Sequence, residues 1–322
     1  MNIRHLIGQR ELSLMVKADA YNHGLKAVSE ISSSIVDRYG VATIDEAIAL
    51  KKLQHHKPIS IYSYEVKDFP IIIEYGLTPI IYNKPSLDAL LKYGYQDFDV
   101  KIDSGMHRFG FWYENDIDIC FKRLKEYGVS PRALITHFAS RDSIKEQVDV
   151  FNNKTSLFFA EFPTAKRILS ASSGIREGHF YDGVRVGLMA YDKALKVYSS
   201  IMDIRNLKAG DKAGYDGDYV ASKDTRIAII NGGYYDGIRR AFKGAEVLIN
   251  GRIAHIIGKV SMDTTMIDIE DIPAKIGDQV LLLCDKTIDS YCLHGNTNEY
   301  EILTSIKGRN KRAFTYYGKR FD

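Results

Sequence analysis

The sequence predicts an α/β protein with a (β/α)8 TIM barrel followed by a mostly antiparallel β domain. Its 322 residues are enough for two domains, or for one barrel with an appendage. Up to about residue 190, short β-rich runs alternate with amphipathic helical stretches. Beyond about residue 195 the runs are short and broken by Gly, Asn and Asp. We therefore expect a barrel domain over residues 1–195 and a β domain over residues 196–322.

The first part of the chain contains eight candidate strands. In order they read LSLMV, YGVAT, PISIYS, TPIIY, DVKID, ALITHF, ILSASS and YDGVRVGL. Stretches such as DEAIALKKLQ and PSLDALLKYG lie between them, with apolar residues three and four apart. This alternation is typical of a parallel (β/α)8 barrel, for which ~250 residues are usual. The loops must therefore be short, and the link between the seventh and eighth strands has no room for a full helix.

The rest of the chain has the pattern of antiparallel strands. TRIAIINGGYYDG and EVLINGRIAHIIGKVSMD carry alternating apolar residues between turn-forming Gly, Asn and Asp. The dipeptide Asn250-Gly251 stands between two alternating runs, which is a strong signal for a β-hairpin. These features predict a separate β domain.

The composition is that of an ordinary soluble globular protein, with 45% hydrophobic and 26% charged residues. A net charge of +3 gives little support to binding of nucleic acid or of a membrane surface. The basic run Lys307–Arg312 is expected to be a solvated surface element, with a small-anion site as the alternative. Three unpaired cysteines indicate a reducing compartment, and Cys292 with His294 lacks the further ligands of a zinc site. With no signal core and no apolar run near the ~18 residues of a membrane span, we expect a cytoplasmic protein.

Polar residues follow several predicted barrel strands. Such residues share the carboxyl-terminal rim of a (β/α)8 barrel, where active sites lie. Lys17 follows the first strand, an unfavourable place for a lysine unless its amine is used. The other rim residues are His137 after strand six, Ser172 and Ser173 after strand seven, and Arg185 and Gly187 after strand eight. Hydroxyls and a glycine amide suit a phosphate, and a phosphate beside a primary amine suggests a phosphorylated aldehyde, pyridoxal 5'-phosphate (PLP).

Seven ordered motifs resemble those of the alanine racemase family. They are VKADAYNHG, KIDSGMHRFGF, THFAS, GVRVGLMAYD, GYDGDYVA, GGYYDG and GKVSMD, from about residue 3 to the end of the chain. The resemblance implies a PLP-dependent amino-acid racemase that interconverts L- and D-alanine and supplies D-alanine for bacterial cell-wall synthesis. It also implies a homodimer whose active sites are shared between subunits.

The resemblance assigns the cofactor contacts to the barrel rim. Lys17 would bind PLP covalently, with a pKa lowered by burial beside cations, although a lysine snorkelling from the strand end explains the local sequence equally well. Tyr21, about one helical turn later, would bind the phosphate. His137 would orient its neighbours, unless it is simply a hydrogen-bonded core histidine. The remaining cofactor-binding residues implied are Ser172, Ser173, Arg185, Gly187 and Leu188.

Arg185 and Tyr215 would determine the type of reaction. Arg185 would face the pyridine nitrogen of PLP, which must then stay unprotonated because an arginine only donates hydrogen bonds. PLP would be a weaker electron sink, which suits racemisation better than transamination. Tyr215 would be the second base, from the other subunit, with its phenolate favoured by nearby cations. Without the resemblance, Arg185 would be taken for a surface arginine and Tyr215 for one of 21 tyrosines.

The remaining implied residues concern the substrate and the entrance to the site. Arg108 would help to hold the substrate carboxylate through its planar guanidinium. Met262 would contact the substrate in the partner's site, and Tyr234 and Asp263 would line its entrance. Lys101 occupies the position of a lysine that is carbamylated in some relatives.

Four positions depart from the family pattern, and the family's opening strand is missing or very short. One of them is Ser172, which replaces an asparagine. Asn22 replaces a glycine, and Leu169 replaces a histidine that usually supports the pyridine-facing arginine. Gly308 stands where many relatives have a tyrosine that contacts the phosphate and narrows the substrate pocket. A wider pocket rejects an added hydroxyl by only ~10–200-fold, which suggests relaxed specificity with serine as a second substrate. A register shift could instead let Tyr316 or Tyr317 supply the phenol.

Other classes fit parts of this pattern. A broader or serine-preferring racemase of the same fold would keep all the motifs. A decarboxylase of the same cofactor fold would lack the tyrosine base at position 215, and a non-catalytic PLP-binding protein of the single-barrel type would lack the second domain. A structural protein on a barrel scaffold would bind no chromophore, so a yellow colour of the purified protein would exclude it.

Overall fold

The structure, a computed structural model, describes residues 3–53, 56–316 and 319–321, the last three by their backbone alone. The chain divides into two compact units, Met1–Ala190 and Tyr191–Asp322. Tyr317, one of the two tyrosines considered above as a substitute phenol, lies outside the described residues.

The first unit is a parallel sheet of eight strands that curves into a barrel. The strands are β1 (Glu11–Met15), β2 (Arg38–Val41), β3 (Ile59–Ile61), β4 (Thr78–Ile81), β5 (Asp99–Lys101), β6 (Ala133–Ile135), β7 (Lys166–Ile168) and β8 (Gly183–Val186). Their order is β7-β6-β5-β4-β3-β2-β1-β8. A parallel bridge between Ser170 and Val184 joins the two ends of this order. The predicted TIM barrel is confirmed.

Helices precede, connect and follow the barrel strands. They are α1 (Ile3–Ile7), α2 (Lys17–Tyr21), α3 (Leu25–Ser32), α4 (Ile44–Lys52), α5 (Phe69–Glu74), α6 (Lys84–Tyr93), α7 (Glu114–Glu126), α8 (Ile144–Thr155), α9 (Phe158–Glu161), α10 (Ser172–Arg176) and α11 (Leu188–Tyr191). The link between β7 and β8 contains one helix, the five-residue α10, which agrees with the prediction that it has no room for a full helix. The seventh strand lies earlier than predicted, because the end of the run ILSASS belongs to α10.

A network of buried charges closes the amino-terminal end of the barrel. Glu11 accepts hydrogen bonds from Arg132 Nη1 at 2.7 and 2.8 Å and from Lys166 Nζ at 2.8 Å. Arg132 Nη2 also reaches Asp99 at 2.6 Å, and Arg38 Nε lies 3.7 Å from Glu11. Residues at this end of a TIM barrel serve stability, which leaves the opposite rim for chemistry.

The second unit is built around a closed antiparallel barrel in the order β12-β15-β14-β13-β16-β9. Its elements are β9 (Val197–Leu207), β10 (Lys212–Ala213), β11 (Tyr219–Val220), β12 (Thr225–Asn231), β13 (Glu246–Ile249), β14 (Arg252–Ile257), β15 (Thr264–Asp268), β16 (Gln279–Leu283), α12 (Ile288–Gly295), α13 (Glu299–Ser305), β17 (Phe314–Tyr316) and β18 (Lys319–Phe321). Asn250 and Gly251 turn between β13 and β14 with φ of 50° and 78°. The predicted hairpin and the antiparallel β domain are both confirmed.

Two kinds of feature are absent from residues 3–53, 56–316 and 319–321. Within those ranges, no helix has the length and hydropathy needed to cross a membrane. The same ranges contain no group of three or more His, Cys, Asp or Glu side chains arranged to hold a metal ion.

Candidate active site

Lys17 lies just beyond β1 at the carboxyl-terminal rim of the barrel, as predicted. It remains exposed to solvent, so the expected burial of this residue is wrong. Partial desolvation at the rim nevertheless lowers the pKa of Lys17, and Arg108 and Arg185 add to the effect while Glu46 opposes it. A lower pKa leaves more of the amine neutral, which is the form that acts as a nucleophile or a base.

The chain after Lys17 makes one left-handed helical turn. Residues 18–21 have φ between 53° and 55°, and Asn22 has φ of 68°. The Asn22 amide donates to the Ala18 carbonyl at 2.9 Å, and the Ala18 amide donates to Glu46 Oε1 at 2.7 Å. A left-handed helix costs ~1–2 kcal/mol for each L-residue, and strain of this kind is concentrated at functional sites. The predicted turn is present, but its hand is opposite to that of an ordinary helix.

This turn places Tyr21 against the segment that follows β8. Tyr21 is buried, and a Cβ built on Gly187 would lie 2.5 Å from its hydroxyl oxygen. Only glycine permits so close an approach. Ser172 Oγ accepts a hydrogen bond from the Met189 amide at 3.3 Å, which joins the segments after β7 and β8. The other two predicted phosphate contacts, half-buried in the same segments, are Ser173 and Leu188.

Arg185 is buried on β8 and has no carboxylate partner in the described part of the chain. Its Nη2 donates to the Thr136 carbonyl, and its guanidinium lies 5.8 Å from the centre of the Tyr62 ring. Its Nε is buried and has no hydrogen-bond partner among the described residues. A buried donor without a partner is costly, so Nε is a donor that an acceptor on a ligand can satisfy. The alternative of a surface arginine is wrong.

Two further basic groups of the rim are wholly or partly neutral. Burial lowers the pKa of Lys101 to about 7, with help from the charges of Arg185 and Arg108. Burial, followed by the charges of Arg185 and Lys101, lowers the pKa of His137 to about 3. His137 is therefore neutral near pH 7, and Lys101 is about half neutral.

Arg108 projects from a loop that Asp103 organises. The Asp103 carboxylate accepts hydrogen bonds from the amides of residues 105–108 at 2.9 to 3.1 Å. Desolvation raises the pKa of Asp103, but these hydrogen bonds outweigh it and the pKa is lowered. The Glu46 carboxylate likewise accepts hydrogen bonds from the amides of Ala18, Ala42 and Thr43. Because both carboxylates are bound to backbone amides, the cationic groups of the rim suit an anionic ligand.

Sequence reasoning missed Glu46, Asp103, Thr136 and Tyr62. Two of them had a local signal. Thr43 and Glu46 form a capping box at the start of α4, and Asp103 precedes Ser-Gly in a turn-forming run. Thr136 contributes only a backbone carbonyl, and Tyr62 acts on a residue of a distant strand, so no local pattern identifies them.

Tyr215 belongs to the second unit, where it begins a short 3-10 turn after β10. Its side chain is 61% exposed. The next residue, Asp216, forms an ion pair of 2.6 Å with Lys259, which lies in the loop before β15. The turn of Tyr215 is thereby tied to the segment that carries Met262 and Asp263.

Tyr234, Met262 and Asp263 are brought together in the second unit. The Tyr234 amide donates to the Ser261 carbonyl at 2.9 Å, and both Tyr234 and Met262 are exposed. Arg309 links the two segments, since its guanidinium lies 2.8 Å from Asp263 and 2.8 Å from Asp236. These residues form one polar and aromatic surface at one end of the β domain.

Gly308 lies beside this surface in a backbone conformation that only glycine adopts easily. Its φ is 78°, and a Cβ built there would lie 2.6 Å from the Tyr235 carbonyl oxygen. A tyrosine at this position would require a different backbone. Tyr316, one of the two candidate substitutes, is exposed on β17.

Comparison with known proteins identifies the family. Residues 1–193 match the amino-terminal domain of alanine racemase, and residues 194–314 match its carboxyl-terminal domain. The alanine racemase of Actinobacillus succinogenes is 31% identical over 92% of this chain and 89% of its own length. The solved alanine racemase of Clostridium difficile 630 is 26% identical with a TM-score of 0.89, covering 100% of this chain and 93% of its own. That of Bartonella henselae with covalently bound pyridoxal phosphate is 24% identical, with a TM-score of 0.87, covering 96% and 94% of the two chains. The chain belongs to the alanine racemase family.

Proposed function

We propose that this chain is a PLP-dependent alanine racemase, which interconverts L- and D-alanine. The relatives named above are alanine racemases, and the Bartonella henselae enzyme of the same fold holds PLP covalently. The observation that carries the proposal is the position of Lys17, whose amine lies beside Arg108 and Arg185 on the rim of the barrel. A reactive amine among cations suits an aldehyde that carries a phosphate, and a substrate that carries a carboxylate.

The rim of this chain fits PLP at both ends of the cofactor. Arg185 Nε, a buried donor without a partner among the described residues, would donate to the pyridine nitrogen. Tyr21 and Gly187 would bind the phosphate through the hydroxyl and the amide. The other contacts to the phosphate end would come from Ser172, Ser173 and Leu188. His137, neutral because its pKa is lowered to about 3, would orient groups near the ring without adding charge.

The chain's own residues would bind the substrate and move its proton. When bound, PLP withdraws electrons from the substrate Cα and so acidifies the proton there. Lys17 would carry that proton on one face of the substrate, helped by its lowered pKa. Arg108 would hold the carboxylate through its planar guanidinium. An arginine at the pyridine nitrogen keeps that nitrogen unprotonated, which favours return of the proton over transamination.

The second base is assigned to Tyr215 of another subunit. Racemisation requires proton exchange on both faces of Cα, and the exposed Tyr215 can be presented to a second molecule. The surface formed by Tyr234, Met262 and Asp263 would enter the partner's site with it. We therefore propose a homodimer in which each active site uses residues of both subunits.

Lys101 is proposed as a carbamylated lysine. A carbamate forms from the neutral amine, and the pKa of Lys101 near 7 makes that form abundant at neutral pH. Modification would convert a buried cation into an anion beside Arg108 and Arg185. We also propose that the enzyme works in a bacterial cytoplasm and supplies D-alanine for the cell wall.

Relaxed specificity towards serine stays the alternative for the substrate. The backbone at Gly308 is incompatible with a tyrosine side chain, which is consistent with a wider pocket in this chain. A non-catalytic PLP-binding protein is the second alternative. Its prediction is a yellow protein that racemises nothing.

The decisive experiment measures formation of the opposite enantiomer from L-alanine and L-serine. Wild type, Lys17→Ala and Tyr215→Phe are compared, with Lys26→Ala and Tyr198→Phe as exposed controls. Both site variants should lose racemisation, whereas Tyr215→Phe should still exchange the Cα proton of one enantiomer with solvent through Lys17. Full racemisation by Tyr215→Phe would contradict the two-base proposal, and inert serine would contradict relaxed specificity.

Mixing the two inactive variants tests the shared site. In a mixed dimer, Lys17 of one subunit and Tyr215 of the other form one intact site. Random reassembly should restore up to about one quarter of wild-type activity, since about half of the dimers are mixed and each has one working site. No recovery, with exchange of subunits demonstrated, would assign both bases to a single subunit.

A further inference from the structure

Tyr62 has a fixed position inside the barrel, just beyond the end of β3. It packs against the buried residues Ile80, Ala133, Ile135 and Ile168. Because Gly40 on the neighbouring strand has no side chain, the Tyr62 ring and Met15 fill the space beside it. A Cβ built on Gly40 would lie 3.1 Å from Tyr62 Cε2 and 2.5 Å from Met15 Sδ. The ring therefore has little freedom to move.

Arg185 is a buried cation with few groups to stabilise it. Its positive charge repels the protonated forms of three neighbouring groups and so lowers the pKa of Lys17, Lys101 and His137. The Thr136 carbonyl accepts one N–H of Arg185. Leu169, which is fully buried and directly precedes Ser170 of the bridge to Val184, has only a hydrocarbon side chain. The Tyr62 ring, 5.8 Å from the guanidinium carbon, is the other stabilising contact in the described part of the chain.

We propose that Tyr62 is the positioning residue for Arg185, and that its ring stabilises the guanidinium in the orientation that leaves Nε free for the ligand. This inference rests on the proposed function. An aromatic ring attracts a cation through its π electrons, and the attraction is stronger when the pair is desolvated. Unlike a carboxylate, the ring takes none of the N–H donors and cancels none of the charge. Arg185 thus keeps both the free donor and the full positive charge that hold a pyridine nitrogen unprotonated.

The test compares variants that keep the ring with variants that lose it, in the PLP-loaded enzyme. Tyr62→Phe keeps the ring, whereas Tyr62→Leu and Tyr62→Met lose it, the methionine filling more of the space. Tyr82→Leu is the matched control, since Tyr82 is also half-buried and follows the next strand, β4. Thermal unfolding reports any purely structural damage.

Two readouts respond to Arg185 and not to stability alone. The first is the pH titration of the absorbance of bound PLP, which reports protonation of the pyridine nitrogen. The second is the ratio of pyruvate to D-alanine formed from L-alanine. Pyruvate comes from transamination, in which alanine gives its amino group to PLP, water supplies the oxygen of the keto group, and pyridoxamine phosphate remains.

We expect Tyr62→Phe and Tyr82→Leu to match wild type in both readouts. Tyr62→Leu and Tyr62→Met should raise the pyruvate ratio by about tenfold and shift the titration towards a protonated nitrogen, as loss of a desolvated cation–π contact predicts. Unchanged readouts in both ring-less variants would overturn the inference, and equal changes in Tyr62→Phe would assign the effect to the hydroxyl. A wild type that binds no PLP would refute the proposed function instead.

Discussion

The hydroxyl of Tyr21 occupies the space into which a side chain at Gly187 would project. A Cβ on Gly187 would lie 2.5 Å from the hydroxyl oxygen of Tyr21 and 3.0 Å from its Cζ. Tyr21 is one left-handed turn from Lys17, so the same turn sets the distance between the reactive amine and the proposed phosphate site. The two ends of the proposed cofactor site are therefore coupled through residues 17–22.

Gly187→Ala should weaken PLP binding, because the new methyl group displaces the Tyr21 hydroxyl. We expect the dissociation constant, measured by titrating the apoprotein with PLP, to rise by about tenfold, the effect of losing one hydrogen bond to a charged group. Tyr21→Phe should weaken binding similarly. The double variant should be less impaired than the sum of the two, since both changes remove the same contact. Strict additivity would show that Gly187 and Tyr21 act independently.

Ala18→Gly should cost less stability than the same change in a right-handed helix. Glycine lowers the stability of an ordinary helix by ~0.5–1 kcal/mol relative to alanine, because the unfolded chain gains freedom. At Ala18, with φ of 53°, glycine also relieves ~1–2 kcal/mol of left-handed strain. Ala49→Gly, at an exposed position of α4, is the matched control. Urea unfolding of both variants should show a loss for Ala49→Gly and none for Ala18→Gly; equal losses would mean that residue 18 is unstrained.

Glu46→Gln should lower the pKa of Lys17 further, because the Glu46 charge is the one that raises it. Glutamine keeps one oxygen for the Ala18 amide, so the left-handed turn should persist, although the amides of Ala42 and Thr43 lose the oxygen that accepts from them. Covalent capture of PLP requires the neutral amine, and its rate in the apoprotein should therefore reach half of its maximum at a lower pH in Glu46→Gln. Asp45→Asn, an exposed carboxylate of the same helix, should leave the midpoint unchanged. A midpoint equal to that of wild type would remove Glu46 from the electrostatics of the site.

The sequence located Lys17 and Arg185 on one rim because strand ends in a barrel share an edge whatever the details of packing. It did not reveal the hand of the turn after Lys17. Glu46, which accepts a hydrogen bond from the Ala18 amide of that turn, lies 28 residues away in the chain. The expected burial of Lys17 was wrong for a related reason, since exposure at a rim depends on how the loops around it fold.

The contacts that hold Arg185 were also not predictable from the sequence, because they come from residues far away in the chain. The sequence shows that Leu169 replaces the histidine that usually supports this arginine, but it does not show which group supports Arg185 instead. Arg185 contacts the backbone carbonyl of Thr136 and the ring of Tyr62, which follow strands six and three. Neither stands at a recognisable spacing from Arg185. In contrast, the Asn250-Gly251 hairpin was predictable because both strands and the turn are contiguous.

Glu11→Gln should destabilise the barrel at neutral pH, with less effect in acid. The variant leaves Arg132, Arg38 and Lys166 without their shared buried carboxylate, a loss of ~3–5 kcal/mol for a broken buried pair. Desolvation raises the pKa of Glu11, but the three cations outweigh it and the pKa is lowered. Its stabilisation is therefore complete above the ordinary glutamate pKa and is lost as the pH falls through the folded value. Urea midpoints of both proteins should differ at pH 7 and converge in acid.

The matched control for this prediction is Glu126→Gln, which breaks the exposed pair of Glu126 with Lys122. Exposed pairs contribute little, so this change should lower the free energy of unfolding by less than ~1 kcal/mol at any pH. A Glu11→Gln protein no less stable than this control at pH 7 would mean that the charged network costs as much in desolvation as it returns in attraction. The amino-terminal end of the barrel would then be closed by packing alone, since removal of the shared carboxylate would leave stability unchanged.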